Sequence, residues 1–192
     1  TEFKTKGKEV FNKIGIETVT TEKYSCSIQN IKKWLEMNAQ IEVKNLSEIK
    51  LIGIRHTGNF DKIGDTYQKL LKWAGPKGLL QNPDLKAVTI YHDNPKITDI
   101  SKVRLSACIT VGKETKTEGE VGPVFIQEGR YAVGHFEIGA ESFPKAWDSM
   151  CVWVAEAGYK FRDGDYFELY HNDHRMHPEH KFVVDICIPV VK

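Results

Sequence analysis

Two halves of this sequence resemble each other at a separation of 79 residues. Corresponding positions are His56 and His135, Tyr91-His92 and Tyr170-His171, and Ala107-Cys108-Ile109 and Ile186-Cys187-Ile188. Trp73 and Trp153 correspond at a separation of 80, so one residue is gained and lost between these landmarks. A repeat of this length predicts two copies of one supersecondary unit.

Hydrophobic periodicity gives both halves the same order of elements. In the first half, alternation from Ile41 to His56 predicts two short strands broken around Leu46-Ser47. The segments that follow are a helix over 61–74 and strands over 86–91 and 103–111. The second half repeats the pattern with a strand over 124–136, a helix over 142–157 and strands over 165–170 and 182–191. A further helix is predicted over 25–37.

One helix and a few strands are too little to bury both a sheet face and a helix stripe. We therefore predict an α+β fold in which the duplicated strand-helix-strand-strand module forms one antiparallel sheet with two helices on one face. A pseudo-two-fold axis is expected between the halves 41–111 and 121–191. Ligand pockets commonly form at such junctions.

Charge and composition exclude several classes of protein. The 192 residues include 27 Lys+Arg and 26 Asp+Glu, and a net charge of +1 argues against nucleic acid as the main partner. No apolar run reaches the ~18–20 residues of a membrane helix, and Thr1-Glu2-Phe3-Lys4 has no signal-peptide character. We expect a cytoplasmic location and no membrane partner. Cys26, Cys108, Cys151 and Cys187 form no CxxC pair and are predicted to be reduced thiols.

Three segments resemble a known family. They are IRHTGNF, TIYHDNP followed by RLSACITV, and WVAEAGYKFRDGDYFELYHND followed by VVDICIPV. Together they resemble the GyrI-like family, also called the bacterial transcription activator effector-binding domain. The resemblance covers about residues 41–191, and its most specific part is Glu168-Leu169-Tyr170 with the closing Ile188-Pro189-Val190.

This resemblance implies a domain organisation and a function. Residues 41–192 would be an effector-binding domain that binds a small aromatic or cationic molecule for a transcriptional regulator. Residues 1–40 are similar to the linker and helix that follow the DNA-binding domain of AraC-type regulators. The lack of an initiator Met fits a fragment, so DNA would be bound only through a domain absent from this chain. A homodimer is a further expectation.

Strand alternation places the candidate site residues. Tyr166, Glu168 and Tyr170 share one face of their strand, with Phe167 and Leu169 on the other. Tyr91, the repeat counterpart of Tyr170, is expected on the matching face of the other half. A carboxylate among aromatic rings suits an organic cation, since each ring face attracts a cation by roughly 0.5–2 kcal/mol.

With the resemblance, we predict a ligand site with no catalytic residue and no cofactor, formed by Glu168, Tyr91, Tyr170, Trp153 and Tyr166. The alternatives are a strand glutamate that faces water and tyrosines that only pack in the core. Trp147 lies on the apolar stripe of its helix and is expected in the core.

Two further chemistries stay open. His171, His174, His177 and His180 could hold Zn²⁺, Ni²⁺ or Cu²⁺, but Pro178 interrupts them and no HExxH motif is present, so we favour a solvated turn without metal. The family resemblance also allows a hydrolase of strained small molecules, with Glu168 as general base and Tyr91 or Tyr170 as proton donor. Binding alone explains these residues, and we predict that the protein is not an enzyme. A protein-binding inhibitor is the third class.

Overall fold

The computed structural model describes residues 21–112 and 115–192, with side chains from residue 27 onwards. The segment Thr1-Glu2-Phe3-Lys4 and the side chains of Tyr24 and Cys26 therefore lie outside the described part. The helices are α1 (Thr21–Asn38), α2 (Ile63–Ala74) and α3 (Phe143–Glu156). The strands are β1 (Ala39–Leu46), β2 (Ile49–Thr57), β3 (Ala87–Tyr91), β4 (Arg104–Thr110), β5 (Gly122–Ile126), β6 (Gly129–Ile138), β7 (Lys160–Phe161), β8 (Tyr166–Tyr170) and β9 (Phe182–Val191).

The predicted α+β class and its pseudo-symmetry are confirmed by the order of the strands. The sheet runs β1-β6-β9-β8-β3-β4-β2-β5, and the short β7 adds to β9. All neighbouring pairs are antiparallel. Exchanging β1 with β5, β2 with β6, β3 with β8 and β4 with β9 reproduces the same order in reverse. The pseudo-two-fold axis therefore passes between β3 and β8.

Each half lends its first strand to the other half. β1 pairs with β6, and β5 pairs with β2. The prediction of one strand over 124–136 was wrong, because the chain breaks at Gln127-Glu128 and the two parts join opposite ends of the sheet. The predicted break near Leu46-Ser47 is present, and it has the same purpose in the first half.

These exchanged strands force the sheet to curl. β1 and β2 lie six positions apart in the sheet, which is about 29 Å in a flat arrangement at ~4.8 Å per strand. The two residues between them span only about 10 Å. The two edges must approach each other, and the inner face of the curled sheet is buried without any helix on it. That inner core contains Leu51, Val88, Ile90, Cys108, Ile126, Tyr131, Val133, Phe167 and Cys187.

The strand registers correct the repeat alignment. Gly53 pairs with Cys108 and Val133 pairs with Cys187, so Val133 is the counterpart of Gly53. The separation is 80 residues from the first strand through the helix, and 79 afterwards. The match of His56 with His135 was therefore wrong by one residue. The two side chains lie on opposite faces, because neighbouring residues of a strand alternate.

The helices cover the outer face of the sheet. The buried stripe of α2 consists of Ile63, Thr66, Leu70 and Ala74, which recur at helical spacing. The stripe of α3 contains Ala146, Met150 and Val154 at the positions 80 residues later. Leu35 of α1 is buried in the same cluster as the α3 stripe. The outer face thus carries three helices among the described residues, one more than the sequence predicted.

The described cysteines behave as apolar side chains. Cys108, Cys151 and Cys187 are free thiols. Burial raises the pKa of Cys108 and that of Cys151 to about 12, so neither is a thiolate at neutral pH. Within the described residues, no helix has the length and apolar character needed to span a membrane.

Candidate functional site

The site lies on the pseudo-two-fold axis, between α2 and α3 on the outer face of the sheet. Thr89 of β3 pairs directly with Glu168 of β8. These two residues are also repeat counterparts, since they are 79 positions apart. Two strands that pair across a two-fold axis bring equivalent residues face to face. One half presents a hydroxyl on the axis, and the other half presents a carboxylate.

Glu168 is buried with a fractional exposure of 0%. Its Oε1 accepts hydrogen bonds from the Tyr91 hydroxyl at 2.9 Å and from the Trp147 indole nitrogen at 2.6 Å. Its Oε2 accepts one from the Tyr170 hydroxyl. The donors therefore come from both halves of the sheet and from α3.

The carboxylate has hydrogen bonds but no counter-charge among the described residues that act on it. Burial raises the pKa of Glu168, and the hydrogen bonds from Tyr170, Trp147 and Tyr91 oppose this shift only in part. Burial, and after it the charge of Glu168, also hold the pKa values of Tyr91 and Tyr170 well above the ordinary value. Both phenols are therefore donors at neutral pH, and the carboxylate is a charge in a region of low dielectric.

A second set of groups repeats this pattern around Thr89. The Tyr67 hydroxyl of α2 lies 2.9 Å from the Thr89 hydroxyl, which is 3.5 Å from the Tyr170 hydroxyl. Tyr67 and Trp147 are counterparts at a separation of 80. The prediction that Trp147 is a core residue was incomplete, because its indole nitrogen contacts the acid. Applying the separation of 80 to the helices would have singled out Tyr67 and Trp147 from the sequence.

Aromatic rings enclose the carboxylate. Tyr91 meets Trp147 edge to face, with the ring centroids 5.2 Å apart. Phe60 stacks on the other side of Tyr91 at 6.0 Å and is 37% exposed. Phe143 lies 6.5 Å from Tyr170. Phe60 is therefore the outermost ring on the path from solvent to the acid.

The structure brings together three of the five residues predicted for the site: Glu168, Tyr91 and Tyr170. Tyr166 shares their strand face, and burial raises its pKa to about 12. Trp153 stacks on Tyr159, with the ring centroids 6.4 Å apart. Trp153 is six residues beyond Trp147, which corresponds to a rotation of about 240° around the helix. The two indoles therefore leave α3 on different sides.

The four histidines spaced at three residues do not form one cluster. His174 stacks on Phe182 at 4.1 Å. The Nδ1 of His177 accepts a hydrogen bond from the backbone nitrogen of Glu179 at 3.1 Å. His171 points elsewhere, with its Nε2 at 2.8 Å from the carboxylate of Asp185.

The raised pKa of Glu168 predicts a pH dependence of stability. The folded protein holds this proton more tightly than the unfolded chain, whose carboxyl has the ordinary value of 4.5. We expect wild type to lose stability relative to Glu168→Gln as the pH rises from the ordinary value through the raised one, because only wild type must bury a charge. Urea unfolding of both proteins across this range measures the difference. A difference that is constant, or that favours wild type at higher pH, would contradict the prediction. Glu48→Gln, at an exposed position, is the control.

An α+β sheet with a buried acid between two helices defines a small-molecule-binding domain. The chain belongs to the GyrI-like small molecule binding domain family, whose model matches residues 39–191. The resemblance found in the sequence is thereby confirmed.

Relatives in sequence and structure agree with this family. A DNA gyrase inhibitor of Erwinia billingiae is 24% identical over 157 residues, which are 79% of this chain and 97% of the relative. DNA gyrase inhibitor 2 of Dickeya dadantii is 27% identical over 114 residues, which are 58% of this chain and 71% of the relative.

Among solved structures, the EcmrR C-terminal domain matches with a TM-score of 0.62 and 21% identity, covering 80% of this chain and 98% of that domain. EcmrR in its complex with DNA matches with a TM-score of 0.65, and this chain spans only 64% of its length. A hydrolase from Listeria innocua matches with a TM-score of 0.60 and 12% identity, covering 85% of this chain and 98% of that one. At these identities the likeness concerns the fold.

Proposed function

We propose that this protein is the effector-binding domain of a cytoplasmic transcriptional regulator, and that it binds an aromatic organic cation at Glu168 without transforming it. The observation that carries the proposal is a fully buried carboxylate whose described partners are neutral donors. A buried charge without a counter-ion is costly, and a cationic ligand would remove that cost.

The surrounding rings favour a flat aromatic cation over a small ammonium ion. Tyr91, Tyr170 and Trp147 present faces and edges within reach of the acid, and stacked or cation–π contacts add to the charge pairing. The ligand must replace the Trp147 indole as a partner of Oε1, so we expect the indole to turn away on binding. Phe60, which covers Tyr91 and is partly exposed, lies on the proposed entry path.

The regulatory role rests on the likeness in fold to the EcmrR C-terminal domain. In this proposal the ligand changes the spacing of α2 and α3, and a DNA-binding domain outside this chain responds. The gyrase-inhibitor names of the sequence relatives support a protein-binding role instead. A closed acid pocket, however, offers a small molecule more than it offers a protein surface.

Charge selectivity tests the ligand class. We expect the chain to bind the N-methylacridinium cation at least about tenfold more tightly than neutral acridine at neutral pH, because only the cation pairs with the carboxylate. Fluorescence titration of both compounds measures the ratio. Equal affinities for the two compounds would exclude a cation site.

A second candidate function is hydrolysis. The Tyr91 and Tyr170 hydroxyls contact Glu168, which is an arrangement of an acid or base with proton donors. Mass spectrometry of candidate ligands after incubation distinguishes the two functions: unchanged ligand supports binding alone, and product supports the hydrolase.

A further inference from the structure

We propose a transition-metal site on the inner face of the sheet, formed by His135, His171 and Asp185. The donor atoms of the three side chains all lie within 4.8 Å of one another. The Nδ1 of His135 is 2.6 Å from Oδ1 of Asp185, and the Nε2 of His171 is 2.8 Å from Oδ2. Two imidazoles and one carboxylate are the donor set of open zinc sites, which leave a fourth position for water.

Three neighbouring strands hold these side chains in place. His135 of β6 pairs directly with Asp185 of β9. His171 directly follows β8, and its backbone nitrogen donates to the Val183 carbonyl at 2.8 Å. Because side chains on paired strands are fixed by the ladder, the three donors are arranged before any ligand binds.

The distances suit a metal after a small adjustment. Zn–N bonds are about 2.0–2.1 Å, so donors around one tetrahedral ion lie about 3.3 Å apart. The carboxylate contacts of 2.6 Å and 2.8 Å are those of hydrogen bonds, and they would widen by about half an ångström when an ion replaces the shared protons. The His135 side chain is 45% exposed, so an ion can reach it.

The local charge favours a cation. Asp185 carries the formal negative charge of the cluster. Lys44 is close enough to interact with Asp185, but its Nζ is 2.5 Å from Glu42. The nearby lysine is thus paired with a second carboxylate, and it does not neutralise Asp185 by itself.

The other half of the protein contains the same positions with a different chemistry. The counterparts of His135, His171 and Asp185 are Arg55, His92 and Ser106, and Arg55 pairs directly with Ser106. The Nε2 of His92 is 2.8 Å from the Ser106 hydroxyl. Burial, and after it the charge of Arg55, lower the pKa of His92. A guanidinium and a hydroxyl do not ligate a divalent cation, so only the second half has the metal-binding set.

The experiment is calorimetric titration of the untagged, EDTA-treated 192-residue chain with Zn²⁺ and with Ni²⁺. We expect one equivalent to bind, and we expect Asp185→Asn and His135→Gln each to weaken binding by at least about tenfold. The matched control His92→Gln and the turn control His174→Gln should bind as wild type does. Urea midpoints without metal verify that each variant folds, and His171→Gln replaces any that does not.

Visible absorption with Co²⁺ adds an independent measurement, because bound Co²⁺ should give d–d bands that disappear in the ligand variants. The proposal is overturned if wild type shows no saturable binding of Zn²⁺ or Ni²⁺. It is also overturned if binding survives both ligand substitutions, or if His174→Gln removes it, which would assign the metal to the 171–180 turn.

Discussion

Replacing Glu168 by Gln should weaken binding of the N-methylacridinium cation by about 2–4 kcal/mol, or roughly thirtyfold to several hundredfold. Gln keeps the size and can still accept from Tyr91 and Trp147, so the change removes the charge and little else. Isothermal titration of wild type and variant against the same cation measures the effect.

Two controls separate charge pairing from general damage to the pocket. Glu48→Gln removes one exposed carboxylate and should leave the affinity unchanged. Neutral acridine should bind Glu168→Gln about as well as it binds wild type, since that interaction never used the charge. If the cation binds wild type and variant equally, Glu168 is not its partner, and the proposed site must be abandoned.

Replacing Phe167 by Ala should destabilise the protein by about 3–5 kcal/mol, a large part of the ~5–15 kcal/mol that a domain of this size has. Phe167 is adjacent to Glu168 in sequence but lies on the opposite, inner face of the sheet. It is 0% exposed and packs edge to face on Tyr131, with the ring centroids 5.6 Å apart. The curled sheet leaves no solvent path to this position, so truncation leaves a cavity.

Urea unfolding followed by circular dichroism measures this loss. Phe125→Ala is the matched control, because the Phe125 side chain on β5 is 50% exposed and its truncation should cost about 1 kcal/mol at most. A loss for Phe167→Ala no larger than that of the control would show that the inner face is not a packed core. Below its unfolding midpoint, the Phe167→Ala protein should still bind the cation, because the acid lies on the other face.

The local sequence pattern determined the elements and the faces of the strands. Alternation along 165–170 correctly separated Glu168 and Tyr170 from Phe167, since side chains of a strand point alternately to its two faces. The repeat predicted the α+β class and the pseudo-two-fold axis, because duplicated sequence folds into duplicated units. It also correctly made Tyr91 the counterpart of Tyr170.

Long-range pairing was decided only by the tertiary structure. The exchange of β1 and β5 between the halves depends on contacts distant in sequence, and periodicity within a segment carries no information about which strand it joins. The same limit hid the meeting of His135 with Asp185, which lie 50 residues apart. It also hid the approach of Trp147 to Glu168, because a helix stripe identifies the buried side of a helix but not the residue that it meets.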